Sequence, residues 1–145
     1  MNQRKNTRLE SEGAEFLVLG NLLIQGISTY KTYHNLKGYD LVAVNPEKNT
    51  SARLQVKSRF RTDWDGFIIN DFNCDFVIFI TLNRGYSKIK KNGETGIKTP
   101  DYYIFPVNYI ISKEKSNWGK ITKSQIKDFQ NYQNRWELIQ SFLDK

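Results

Sequence analysis

The chain alternates between two kinds of apolar pattern, one that suits a helix and one that suits strands. The apolar segment "AEFLVLGNLLIQG" follows Thr7-Arg8-Leu9-Glu10, whose hydroxyl and carboxylate three residues apart form a capping box. A first helix is predicted from about Arg8 to Gln25, with Gly26 as its stop. "ISTYKTY" (27–33) is β-branched and aromatic enough for a strand. After the polar turn "HNLKG", residues 39–44 read as a second strand, "NPEKNTS" as a turn and 52–58 as a third strand, closing an antiparallel hairpin. "FVIFITL" (76–82) has the continuous apolar run of a strand buried on both faces, and "DYYIFPV" (101–107) reads as another, with Pro106 favouring an edge or an end.

Elsewhere the pattern is weaker. Between Ser58 and Phe76 it fits a short helix or an irregular segment. "RGYSKIKKNGETGIKTP" (84–100) is rich in lysine and glycine and reads as a mobile loop between two strands. Helical periodicity returns after Asn108, most clearly in "NRWELIQSFLDK". A helix, several strands and then helices predict an α/β chain with a mixed sheet flanked by helices.

At 145 residues the chain is the size of one domain, and we take 1–145 as a single unit. Hydrophobic residues at 39% and aromatics at 14% supply enough apolar surface to fold. A formal charge of +7 favours polyanions, whose neutralised phosphates release counterions, although solvated lysines give the same number. One cysteine, Cys74, and one histidine, His34, exclude disulfide scaffolds, zinc fingers and histidine-based nucleases. Cys74 reads as a small core residue and His34 as a polar loop residue. Trp118 and Trp136 read as packing residues. No apolar leader and no stretch of membrane-spanning length are present, so a cytoplasmic location is expected.

Candidate chemistry lies in the hairpin. Side chains alternate along a strand, so Arg53, Gln55 and Lys57 share one face while Leu54 and Val56 face the core. The hairpin brings Asp40 opposite Gln55 or Val56, with Lys57 about 6–7 Å beyond Gln55. A carboxylate and an amide oxygen suit a hard cation such as Mg²⁺. A neighbouring lysine can orient water or offset charge on a phosphoryl group. Glu15 lies at helical spacing from Val18, Leu19 and Leu22 and needs a partner; Glu12, one turn earlier, competes for the same part. Taken singly, Asp40 can cap a turn, and Gln55 and Lys57 can form a solvated strand face. Taken together, in order and on converging faces, they read better as a site.

The helix "GAEFLVLGNLLIQG", the aspartate of "YDLVAV" and the "LQVKSR" strand together resemble the PD-(D/E)XK nuclease superfamily, especially small members with Q-x-K similar to homing endonucleases and Holliday-junction-resolvase-like proteins. The resemblance covers about Gly13 to Arg59. It implies a restriction-endonuclease-like αβββαβ core and Mg²⁺-dependent phosphodiester hydrolysis, with Mn²⁺ as a substitute. It assigns Glu15 as the helix carboxylate, Asp40 as the main metal ligand, Gln55 as a neutral replacement for the usual acidic ligand, and Lys57 as the catalytic lysine. The metal set is then Asp40, Gln55 and Glu15. Two departures stand out: Tyr39 replaces the proline before the aspartate, and Gln55 removes a negative charge.

Basic residues flank this constellation. Lys31, Arg53, Arg59 and Arg61, with Lys37, are placed to hold phosphates, and Lys88, Lys90, Lys91 and Lys98 to track a backbone or enter a groove. The partner expected is double-stranded or branched DNA, and cutting both strands implies a homodimer or higher homo-oligomer. Two rivals remain: a catalytically inactive nuclease-fold DNA-binding module, and a basic protein-interaction domain. "GETGIKT" (93–99) lacks the residues of a phosphate loop and is set aside.

Overall fold

The computed structural model describes residues 7–32 and 38–145. His34 and Lys37 lie outside these, as does part of the turn before Tyr39. The chain opens with α1 (Thr7–Ile24), which buries Ala14, Val18 and Leu22 one turn apart on a single stripe. Strands β1 (Ser28–Lys31), β2 (Leu41–Asn45) and β3 (Thr50–Arg59) form an antiparallel meander. The next strand, β4 (Gly66–Ile68), lies outside this sheet; β5 (Phe76–Thr81) and β6 (Asp101–Pro106) complete it in the order β1-β2-β3-β5-β6. β3 and β5 run parallel and the other neighbours antiparallel, which gives the expected mixed sheet flanked by helices.

Hydrophobic clusters cover both faces of the sheet. On one, α1 joins Leu41, Leu54, Ile78 and Ile104, together with Trp136, Ile139 and Leu143 at and within α3 (Glu137–Leu143). On the other, Trp64, Phe67, Val77, Phe79, Tyr103 and Phe105 pack with Phe129, and Phe79 lies 4.6 Å from Phe67 and 4.8 Å from Trp64, centroid to centroid. All six residues of β5 are buried, as a strand covered on both sides requires. Leu54 belongs to the α1 face and Val56 packs against it, as alternation predicts. β6 is an edge strand that ends at Pro106, as proline demands.

Four expectations need correction. A parallel pair needs a crossover, and the expected second helix of an αβββαβ order does not form it. Residues 60–75 cross instead through irregular chain and β4, which pairs with β7 (Lys120–Thr122) in a separate two-stranded sheet. The segment after Asn108 is not simply helical: α2 (Val107–Ile111) is short, and β7 and two 3₁₀ turns precede α3. Residues 83–98 are a paired ribbon rather than a mobile loop, with an Arg84–Ile97 bridge and backbone bonds Tyr86 N–H to Thr95 O (2.7 Å) and Lys98 N–H to Asn83 O (3.0 Å). Trp136 is core, but Trp118 is 59% exposed and packs into neither cluster. No helix among the described residues is long and apolar enough to cross a membrane.

Candidate active site

The site forms where β2 stops short of β3. Leu41 pairs with Leu54, so one step further along the ladder Asp40 comes opposite Gln55. There Asp40 takes over from the ladder with its side chain: Oδ2 accepts the Val56 N–H at 2.8 Å, while its own N–H donates to Leu54 O at 2.8 Å. Its carbonyl accepts from both the N–H (2.9 Å) and the hydroxyl (3.0 Å) of Thr32. The carboxylate is therefore fixed by strand geometry, with Oδ1 left unengaged by any donor among the described residues.

Gln55 is 6% exposed, and its amide nitrogen donates to Gly38 O at 3.0 Å and Asp71 O at 2.7 Å, with Cys74 Sγ 3.7 Å away. Those bonds fix which way the amide points. Oε1 is left for the cavity. Gly38 has a φ of +94°, and a Cβ there would sit 2.7 Å from both Asn73 Cβ and Asp71 Oδ1, so only glycine lets its carbonyl approach Gln55 this closely.

Lys57, one strand period beyond, has no hydrogen-bond or ion-pair partner among the described residues. Burial pulls its ammonium below the ordinary lysine value, and the Asp40 charge partly opposes that. From α1, Glu15 reaches the same space and is paired with Lys31. Burial pushes the Glu15 carboxyl up, against the Lys31 hydrogen bond, and the charge of Asp40 pushes it further. Burial alone would lower Lys31, but the Glu15 hydrogen bond and charge outweigh it, and Lys31 is raised.

Glu15, Asp40, Gln55 and Lys57 thus line one open, polar cavity of about 300 Å³, with Ser11, Tyr39 and Ser58 among its other walls. Glu12 does not line it; Glu12 pairs with Arg8 at 3.4 Å on the exposed side of α1. Glu15, Asp40 and Gln55 each bring an oxygen from a separate segment, a donor chemistry that suits a hard, partly hydrated cation. No cluster of three or more His, Cys, Asp or Glu exists among the described residues, so any such site here depends on the amide. Cys74 has its thiol pushed up to about 11 by burial and is inert packing.

Sequence reasoning missed Ser11, Ser58 and the Asp71 carbonyl. Ser11 is one helical turn before Glu15 and Ser58 adjoins Lys57, so both carried a spacing signal; Asp71 lies in the patternless 60–75 segment and carried none. The flanking cations differ among themselves. Lys31 is held inside by Glu15, its side chain 8% exposed. Arg53 bonds Asn73 and lies 3.5 Å from Asp75, Arg59 donates to Gly66 O at 2.9 Å, and Arg61 lies over the Phe60 ring. Lys90 is 3.4 Å from Glu94, whereas Lys88 and Lys91 are exposed with no ion-pair partner among the described residues.

No protein-family model matches the chain, and no curated protein sequence matches it. Among solved structures it is similar to a bacterial homing endonuclease, I-Ssp6803I, with a TM-score of 0.61 and 23% sequence identity over 94% of this chain and 93% of that one. At that identity the likeness is one of fold: the five-stranded mixed sheet with its flanking helices is an architecture this endonuclease shares.

Proposed function

We propose that this protein is a Mg²⁺-dependent DNA endonuclease working through Glu15, Asp40, Gln55 and Lys57. The observation that carries this reading is the meeting of those four side chains in one open cavity at the rim of the sheet. The fold shared with a homing endonuclease supports DNA as the substrate. Glu15, Asp40 and Gln55 would hold the ion, and Mn²⁺, with the same taste for oxygen, would replace it. When bound, such an ion supplies an activated water and charge stabilisation on the phosphoryl group.

The chain's own residues do the rest. Asp40 is held by the Val56 N–H, so its free oxygen is presented without a search through rotamers. Lys31 holds Glu15 at the mouth of the same space. Lys57, unpaired and partly desolvated, supplies a positive charge where a phosphodiester enters, and offsets the negative charge that builds as the bond breaks. One cavity cuts one strand, so double-strand cleavage would need two copies about a two-fold axis.

A DNA-binding module that does not cut is favoured by one observation: the cavity has only two carboxylates, and Glu15 is already paired. Incubation with supercoiled plasmid in Mg²⁺, in Mn²⁺ and in EDTA separates the two. We expect cleavage with either ion and none in EDTA, and a loss of about 10²–10³-fold in Lys57→Ala and Asp40→Ala with circular dichroism and DNA affinity retained. Binding without cleavage under every condition, or equal unfolding of both variants, overturns the endonuclease.

A further inference from the structure

Residues 83–98 hold five basic residues and one acidic, a net +4 out of the chain's +7. A solvated tail would need no structure, yet this segment is built. Beyond the ladder bonds already described, Lys90 N–H donates to Glu94 O at 3.0 Å and Gly93 N–H to Lys90 O at 2.8 Å, closing the tip. The root is clamped by the residues that follow β3. Thr62 N–H donates to Gly85 O, the Thr62 hydroxyl accepts from Gly85 N–H (3.1 Å) and donates to Gly96 O (2.7 Å), and Asp63 takes the Ser87 N–H at 3.1 Å. The root of the ribbon is therefore tied to the segment that follows β3.

Its surface is unusual for a solvated hairpin. Arg84, Lys88 and Lys91 are exposed with no ion-pair partner among the described residues, and Ile89, next to Lys88, and Ile97, paired across from Arg84, are 67% and 59% exposed. We propose that this ribbon enters the major groove of duplex DNA, with Ile89 and Ile97 against base edges and Arg84, Lys88 and Lys91 on the flanking phosphates. The inference rests on the nucleic-acid reading above and adds which form and which groove of the polymer is engaged. A two-stranded ribbon, its strands about 4.8 Å apart, fits a groove about 12 Å wide. Apolar side chains there meet thymine methyl groups. Each paired arm, 83–86 and 95–98, is about 13 Å long, enough to span the groove's width, and the tip extends beyond it.

The ribbon is also placed to feed the active site. The ribbon springs from the carboxyl end of the parallel pair, where Arg84 N–H donates to Phe60 O at 2.9 Å, and the cavity lies partway along that pair, with Lys57 level with Phe79 in β5. From Lys57 to Phe60 is about 10 Å of extended chain, so groove entry and cavity lie within about one helical turn of DNA.

The test uses the full chain, a 30-base-pair duplex and one strand of it alone. Fluorescence anisotropy across a salt series compares the parent with the Arg84→Ala/Lys88→Ala/Lys91→Ala variant. Thermal melting checks that the fold is kept. We expect the parent to prefer duplex, methyl green in the major groove to displace it, and distamycin in the minor groove to leave it bound. The triple variant should bind at least about tenfold more weakly and lose about 0.9 of salt slope per phosphate contact removed. A folded variant with parental affinity and slope, or displacement by distamycin instead, overturns the ribbon while leaving plasmid cleavage untouched. Ribbon-dependent binding without Mg²⁺ cleavage overturns the catalytic reading alone, and a parent that ignores duplex at low salt overturns both.

Discussion

The amide of Gln55 donates to two backbone carbonyls and turns its oxygen away from them, so the same side chain ties the 60–75 crossover to β3 and lines the cavity, where we propose its oxygen as a neutral ligand. A glutamate at 55 could not donate; its carboxylate would face the Gly38 and Asp71 carbonyls and leave both without their amide partner. We expect Gln55→Glu to cost about 1–3 kcal/mol in urea denaturation without divalent ion, the usual penalty for unpaired buried acceptors. Added charge strengthens oxygen coordination, so Mg²⁺ should restore more stability to this variant than to the parent. A variant as stable as the parent without ion would show that the amide's donor role is dispensable. Strand alternation in the sequence placed Gln55 on the face of Lys57 and put Asp40 opposite it or Val56, and the register chooses Gln55. It did not explain the amide, because the two carbonyls it serves arrive from 17 residues before and 16 after, through chain with no readable period.

Element by element, legibility followed length and apolar content. α1 carries 18 residues and a clear buried stripe, and β5 is apolar up to its last residue, Thr81; both stand close to where periodicity put them. β4 and β7 have three residues each, too few for alternation to register, and pair across more than fifty residues of chain. The ribbon at 83–98 has only two isoleucines and a tyrosine among mostly polar residues and no apolar alternation, so nothing in its composition distinguished it from a loop. A single glycine marks the β4–β7 contact: a Cβ on Gly66 would sit 2.2 Å from Ile121 O and 2.9 Å from Thr122 Cα, both backbone atoms. Gly66→Ala must therefore push the two strands apart, and we expect a loss of about 1–3 kcal/mol, read as a fall in melting temperature of about 2–4 °C for each kcal/mol. The cavity residues lie in other elements, so cleavage per folded molecule should stay at the parental level. A melting temperature equal to the parent's would mean that the small sheet yields without cost.

Taken whole, the molecule separates what keeps it folded from what the site does. Cohesion comes from apolar clusters on the two faces of one sheet, where each large side chain buried contributes about 1.5–3 kcal/mol. The cavity sits at the rim, where β2 gives out, and its four candidate chemical residues, Glu15, Asp40, Gln55 and Lys57, belong to neither cluster. Lys57 goes further and opposes folding: its ammonium is partly stripped of water with no ion-pair partner among the described residues, and burial accordingly holds its pKa below the ordinary lysine value. Methionine has a similar length and no charge, so Lys57→Met should fill the same space against β5 without that cost. We expect the variant to melt about 2–4 °C higher at pH 7 for each kcal/mol regained, while cleavage falls by about 10²–10³-fold. Asp40→Asn should act in the opposite sense on stability, since it removes the one carboxylate whose charge favours the lysine most. Calorimetry on the two variants decides the matter: a lower melting temperature in Lys57→Met would make the lysine a structural residue, whereas a higher one with lost activity is the signature of a group kept at the expense of stability for its chemistry.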